Sequence, residues 1–506
     1  MVTVLDYFEK TVEQFPDHII CEDDSESITF QQFALGARAI GSYLCRYNQT
    51  CRPVAVLTEN TPQSWIAMIG AVYSGNFYVP VDAQTPIERL KNICRTLDPI
   101  AVIVDEKYRA KGEQLEGVSV LLYDEIVKTV EDIESLKRIR CTMINTDPVI
   151  ALFTSGSTGT PKGPVISHAS IVTYMEWFIA TFHVDETTVF GSQSPFFFGI
   201  SISTMFATLF AGAKLAVIPK RMFSFPLELL QFMNDKKVSM IYWVASALKM
   251  IANHKALDKI QLPYLKTILF AGEVMPVKQF NYWRAHMPED TVYGNLYGPT
   301  EAIDTVTCYI VDRLFRDDEV LPLGYACDNC GLMVLRPDDT LIVGPEEAGE
   351  LCIRGPYLSL GYYNDPIRTA EVFTQNPLNK SYPERIYRTG DIVKYNERGE
   401  LVYVARKDFQ IKHQGYRIEL GEIEAAVGAI KSVQECACFY DTDNQFIVLC
   451  CSGDGLTPKL ILQGVKDRLP KYMMPNKFII LPQLPHNANG KIDRKILMQG
   501  YQEGSM

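Results

Sequence analysis

Apolar runs of strand length alternate with segments of helical spacing along the early part of the chain, and this alternation predicts doubly wound α/β structure. Residues 53–57, 78–82, 100–104 and 118–122 read as buried strands, and residues 64–74, closed by Gly75, as a helix. Ahead of them, Leu5, Phe8, Val12 and Phe15 share one helical face. Residues 19–21 and 28–30 predict short strands, and 31–44 a helix. A chain of 506 residues is too long for one simple core, so two or more domains are expected. Its 47% hydrophobic and 22% charged content is that of an ordinary globular protein. With 49 basic against 60 acidic residues the formal charge is −11, which argues against a general nucleic-acid binder. Thirteen cysteines, an odd count, do not form a secreted disulfide framework. Cys327 and Cys330 have metal-ligand spacing but no second pair follows them, and Cys436, Cys438, Cys450 and Cys451 read as small buried strand side chains. The N-terminus has no signal pattern, and no apolar run reaches the ~18 residues of a membrane span. A cytoplasmic protein is the expectation.

Function is carried first by Thr154-Ser155-Gly156-Ser157-Thr158-Gly159-Thr160-Pro161-Lys162-Gly163, between an apolar run at 149–153 and an alternating segment at 164–168. The order reads as strand, loop, strand. Glycines let backbone approach a ligand closely, hydroxyls and N–H groups donate to phosphate oxygens, and Lys162 adds positive charge. The stretch is not a Walker A loop, because Pro161 precedes Lys162 and Gly163 follows it. By composition alone it is equally a polar hairpin loop. Further on, Asn295-Leu296-Tyr297-Gly298-Pro299-Thr300-Glu301 supplies a ring to stack on a base, a sharp turn, and oxygens suited to Mg²⁺ and phosphate.

Taken together and in order, these stretches resemble the adenylate-forming superfamily of acyl-CoA synthetases, luciferases and nonribosomal peptide synthetase adenylation domains. Residues 75–90, 193–201, 349–355 with 361–363, 387–391, 405–412, 469–475 and 489–494 match further family motifs, so the resemblance covers essentially the whole chain. Residues 270–276 and 408–420 look most like the free-standing D-alanine–carrier protein ligases. The implied architecture is a large N-terminal core at 1–404 of doubly wound α/β subdomains plus a β-rich part, a hinge at 405–409 centred on Asp408, and a small mobile α+β domain at 410–506. The implied cofactors are ATP and Mg²⁺. Thr154, Ser155, Gly156, Ser157, Thr158, Gly159 and Lys162 would hold ATP phosphates. Asn295, Tyr297, Gly298, Arg406 and Asp391, whose carboxylate can accept both ribose hydroxyls, would complete the nucleotide site. Lys491, Thr300 and Glu301 would be catalytic, Glu301 also binding the metal. Lys491 could instead be an exposed lysine in an Asn-Gly turn. The implied reaction joins a small carboxylic acid to the phosphopantetheine thiol of a carrier protein, or to coenzyme A, through acyl-AMP. Because nothing follows residue 506, the acceptor is expected to be a separate molecule. A monomer without nucleic-acid or membrane partners is expected.

The acyl pocket implied by the resemblance comprises Phe198, Gly199, Ile200, Ser203, Ala271, Gly272, Leu296, Asp304 and Thr305. Two of these depart from the family pattern. Amino-acid-activating members carry an aspartate where this chain has Gly199, and Asp304 is a carboxylate where a pocket-lining side chain is usual. Either the substrate lacks an α-amino group or another carboxylate binds it. An aryl acid of the hydroxybenzoic type is the lead reading, favoured by Phe196, Phe197, Phe198 and Gly199, with Asp304 meeting a polar ring substituent. The alternatives are an amino acid held by Asp304, an aryl- or acyl-CoA ligase, and a non-catalytic nucleotide-binding module. The presence of Lys491, Glu301 and Asp391 argues against the last. Asp304 could also simply face solvent beyond the turn.

Overall fold

The computed structural model describes residues 3–153, 161–345, 347–486 and 492–505. Thr154, Ser155, Gly156, Ser157, Thr158, Gly159 and Lys491 lie outside the described residues. The chain divides into two compact units, one of residues 1–83, 98–152 and 163–407, the other of 84–97, 153–162 and 408–506.

Among the described residues the first unit contains three sheets. In the six-stranded sheet the order is Val120–Leu122, Ala101–Val104, Pro53–Thr58, Phe77–Asp82, Pro148–Ala151, Val165–Ser167. All its pairings are parallel except the last, which is antiparallel and sets Ala151 opposite Val165. The nine-stranded sheet has a parallel centre of Val292–Tyr297, Thr267–Ala271, Met240–Val244, Val189–Ser192, Lys214–Val217 and Ile19–Glu22. Its central strands are buried along nearly their whole length, as expected of a parallel sheet covered on both faces. A third, antiparallel sheet joins Gly331–Leu335, Ala348–Arg354, Arg385–Tyr395, Phe373–Gln375 and Leu401–Arg406.

The helix expected at 64–74 is Pro62–Tyr73. Proline at the first helical position and Thr61, whose hydroxyl accepts from the Ser64 N–H at 3.2 Å, set its start. It packs on Phe30–Leu44 through two glycines. A Cβ on Gly41 would lie 2.6 Å from the Tyr73 Cβ, and one on Gly70 would lie 2.7 Å from the Ile40 Cβ. The strand expected at 118–122 shortens to Val120–Leu122.

The second unit is α+β. A hairpin of Gln410–His413 and Tyr416–Glu419 precedes the helix Leu420–Gly428, and Glu435–Asp441, Phe446–Ser452 and Lys477–Ile480 form a sheet. Ile418, Ile423, Val427, Leu449 and Ile461 are buried at its centre. The helix Ile87–Leu97 belongs to this unit, where the Arg89 guanidinium and the Glu422 carboxylate form a buried ion pair.

Candidate active site

The site is organised by one tight connection between antiparallel strands, Val292–Tyr297 and Thr307–Ile310. Tyr297 pairs with Thr307, so residues 298–306 must turn back within a few residues. Gly298 makes this possible, since a Cβ there would lie 2.1 Å from the Asp304 carbonyl oxygen. Thr300–Ala302 forms a single 3₁₀ turn. Ile303 follows at φ 69 and ψ −76, and the Asp304 N–H donates to the Ala302 carbonyl at 3.0 Å. This is a γ-turn of the rare, strained kind, carried by a β-branched residue. Ile303 is fully buried, so packing holds a conformation that the free peptide would avoid.

The strained turn places Asp304 inside the protein. At 7% exposure it does not face solvent beyond the turn. Its Oδ2 accepts from the hydroxyls of Ser203 at 2.6 Å, Tyr174 at 3.3 Å and Thr305 at 3.4 Å. The Tyr242 hydroxyl pairs with Thr305 Oγ1 at 2.9 Å. Oδ1 is the atom nearest Gly199, 3.4 Å from where a Cβ on that glycine would stand, and Thr300 Oγ1 is 3.9 Å from the same point. Gly199 is the first residue of the helix Gly199–Ala211, whose N-terminal N–H groups favour a nearby anion. Burial nevertheless pushes the Asp304 carboxyl above its ordinary range, against the pull of the Ser203, Tyr242, Tyr174 and Thr305 hydroxyls. Burial and the Asp304 charge likewise raise Tyr174 and Tyr242 well above the usual phenol value, so both remain hydrogen-bond donors. Ile200, Ser203, Ala271, Leu296 and Thr305 are buried, while Phe198, Gly199 and Gly272 are half-buried. Phe196, expected among the pocket aromatics, turns into the core beside Trp65, with ring centroids 6.3 Å apart.

A second carboxylate cluster forms at Asp391, in the strand Arg385–Tyr395. Its Oδ1 pairs with Arg406 Nη1 at 3.1 Å, and its Oδ2 accepts from the Tyr297 hydroxyl. Arg406 Nη1 also donates to the Thr389 carbonyl at 3.0 Å. Three of the residues expected at a nucleotide are thereby in direct contact. Asn295 has a structural duty, its side-chain NH₂ donating to the Pro322 carbonyl at 2.7 Å. Glu301 is fully buried and accepts from the Tyr362 hydroxyl at 2.6 Å. In the second unit, Lys162 Nζ lies 3.7 Å from Glu419, and the exposed Asp408 accepts from the Gln410 N–H at 3.2 Å.

Residues 8–363 match the AMP-binding enzyme family, and residues 422–491 match the AMP-binding enzyme C-terminal domain. The chain belongs to the AMP-binding enzyme family. A D-alanine–D-alanyl carrier protein ligase of Bacillus cereus (strain AH187) is 30% identical over 522 residues, covering 98% of this chain and 99% of the relative. A mycosubtilin synthase polypeptide of Bacillus subtilis is also 30% identical, over 98% of this chain, which spans only 19% of that much longer protein. In fold, the Vibrio cholerae adenylation domain AlmE, solved with glycyl-adenosine-5′-phosphate, superposes with a TM-score of 0.85 at 22% identity, covering 99% of this chain and 98% of that one.

The protein is an adenylate-forming ligase with the expected mixed α/β fold. AMP-binding enzymes act on ATP, and the donor set can be tested against a metal. Among the described residues no three of His, Cys, Asp and Glu gather as a metal cage. Glu301 supplies one carboxylate, which suits Mg²⁺, an ion bound by one or two carboxylates together with substrate phosphates. Tyr174, Tyr242 and Tyr362 are the polar site residues to which the sequence assigned no role. All three sit in apolar or aromatic stretches where a buried tyrosine and a core aromatic look alike. No helix among the described residues is long and apolar enough to cross a membrane.

Proposed function

We propose that this ligase activates a small carboxylic acid with ATP and passes the acyl group to the phosphopantetheine thiol of a carrier protein. The bond from Tyr297, on the hairpin that carries Thr300 and Glu301, to the Asp391 carboxylate, itself paired with Arg406, is the observation that supports the nucleotide half. The carrier-protein half is supported by the D-alanyl carrier protein ligase aligned along its full length.

In the first half-reaction a carboxylate oxygen of the acid attacks the α-phosphorus. The bond to the α,β-bridging oxygen breaks, and pyrophosphate departs with its electron pair. Asp391 accepts the ribose hydroxyls and Tyr297 presents its ring to the adenine, with Arg406 fixing the Asp391 carboxylate. Lys491 meets the negative charge gathering between the carboxylate and the α-phosphate. The Thr154–Gly159 stretch and Lys162 take the β- and γ-phosphates. Glu301, held by Tyr362, and Thr300 would bind Mg²⁺, which when present neutralises phosphate charge. In the second half-reaction the thiol sulfur attacks the acyl carbon, its proton passes to solvent, and AMP leaves. Rotation about Asp408 between a core at 1–404 and a domain at 410–506 is assigned as the switch between the two, a gating motion that lets one site serve two reactions.

Two substrate classes fit Asp304: an aryl acid with a ring hydroxyl, and an amino acid with its ammonium. Coenzyme A remains the alternative acceptor. The turn of Phe196 into the core thins the aromatic wall on which the aryl reading depended, and this favours the amino acid. The test is acid-dependent pyrophosphate release over D-, L- and β-amino acids, benzoic and hydroxybenzoic acids and short fatty acids, followed by acyl transfer to carrier protein or coenzyme A. Lys491→Ala is expected to abolish release yet largely spare thioester formation from synthetic acyl-AMP. Equal loss of both steps would refute the two-state assignment.

A further inference from the structure

Asp304 is a charge-bearing group in a place that supplies hydroxyls and a helix terminus but no cation. Among the described residues no Lys, Arg or His pairs with it, although it is 7% exposed. Two other buried carboxylates of this unit have such a partner: Asp391 has Arg406, and Glu400 has Arg313 at 2.6 Å. A buried carboxylate left without a countercharge is costly, and the cost falls when a ligand brings one. The geometry also gives the ligand a direction. The three side-chain hydroxyls that bond Asp304 reach Oδ2, whereas Oδ1 points to Gly199. Lacking a side chain, Gly199 leaves room beside Oδ1 for a group the size of a Cβ, which would meet Oδ1 at 3.4 Å and the Ile303 carbonyl oxygen at 3.5 Å without a clash. Thr300, on the hairpin that carries Glu301, borders the same space.

We propose that Asp304 is the anchor for a substrate ammonium, bound at Oδ1 beside Gly199, and that the acid this ligase activates is therefore an amino acid. The inference rests on the adenylation reading above and deepens it. A phenolic hydroxyl at the same point would add one hydrogen bond to a carboxylate that already accepts three, and would bring no charge. An ammonium brings both. Gly199 and Asp304 thus form one device, in which the carboxylate enters from the hairpin wall and the helix start is cleared to admit the amine.

The experiment uses the full chain and measures initial pyrophosphate release with D-alanine, L-alanine, β-alanine, propionate and 4-hydroxybenzoate, for the unaltered protein and for Asp304→Asn. Thermal melting and KM for ATP report on the integrity of the variant. The unaltered protein is expected to prefer at least one amino acid over propionate by about 100-fold or more in kcat/KM. In Asp304→Asn that preference should fall to within about tenfold, chiefly through KM for the amino acid, while KM for ATP holds. Preference for 4-hydroxybenzoate, equal use of propionate, or an unchanged preference in Asp304→Asn would each overturn the anchor and leave adenylation intact. If the variant does not fold, the preference of the unaltered protein still decides. No release with any acid overturns both the anchor and the adenylation reading.

Discussion

Asp304 and Asp391 are both buried carboxylates of the first unit, and both touch tyrosine hydroxyls, yet they are built to opposite plans. Asp391 is balanced within the protein by Arg406 at 3.1 Å and the Tyr297 hydroxyl. Asp304 is met by the Ser203, Tyr174 and Thr305 hydroxyls beside the start of a helix, and among the described residues it pairs with no cation. The first is a finished ion pair whose remaining lone pairs can serve a neutral diol. The second is completed only when positive charge arrives. A carboxylate that recognises hydroxyls is best fixed by an internal cation, whereas one that recognises a cation must be left without one.

The comparison is broken most forcefully at Asp391. Asp391→Ala removes the carboxylate that pairs with the half-buried Arg406 and is expected to cost about 1–3 kcal/mol in denaturant unfolding, with a large rise in KM for ATP. A cost below about 1 kcal/mol would mean that Arg406 is compensated elsewhere and that the two sites are not opposites. Next in size is Tyr242→Phe, which deletes the hydroxyl bonded to Thr305 and should cost about 1 kcal/mol while weakening amino-acid selection. Smaller still is Asp304→Asn without substrate. With no ion pair to break, it should change stability by less than about 1 kcal/mol at neutral pH. A loss as great as that of Asp391→Ala would erase the distinction.

The finest test is in pH. Burial raises the folded-state pKa of Asp304, so the folded protein holds this proton more tightly than the unfolded chain. The stability it contributes is therefore full below the ordinary carboxylate range and is lost as pH rises through the raised value. Chemical denaturation across mildly acidic pH should show the unaltered protein losing stability relative to Asp304→Asn as pH increases. The opposite slope would place a cation beside Asp304.

Most of the frame was legible because it depends on local order. The strands expected on either side of residues 154–163 form and pair through Ala151 and Val165, and the Asn295–Glu301 heptad falls on a strand, a turn and a single helical turn, as its residue types require. The weight of Gly199 and Asp304 was legible too, but their contact was not. It depends on an Ile303 conformation that isoleucine rarely adopts and on a backbone approach at Gly298 that only the folded chain defines. The same holds for Phe196, one of three consecutive phenylalanines, which is buried beside Trp65 while Phe197 and Phe198 are half-buried. Residues 84–97 fall in the same unit as the C-terminal part, where Arg89 pairs with Glu422, and no local pattern announces a contact so distant in sequence.

The hydroxyl cage of Asp304 also has a direction in time. Tyr174 and Ser203 precede Asp304 by 130 and 101 residues, and Tyr242 precedes Thr305 by 63. Synthesis proceeds from the N-terminus, so every donor from the helices and the central sheet is made before the acceptor it serves. Until residues 304 and 305 emerge from the ribosome, Tyr174, Ser203 and Tyr242 must meet their hydrogen-bonding needs with water or with one another. The selective floor of the pocket is thus closed by its last-made member, and a nascent chain cut short before Asp304 carries the walls of the site without the group proposed to choose what enters.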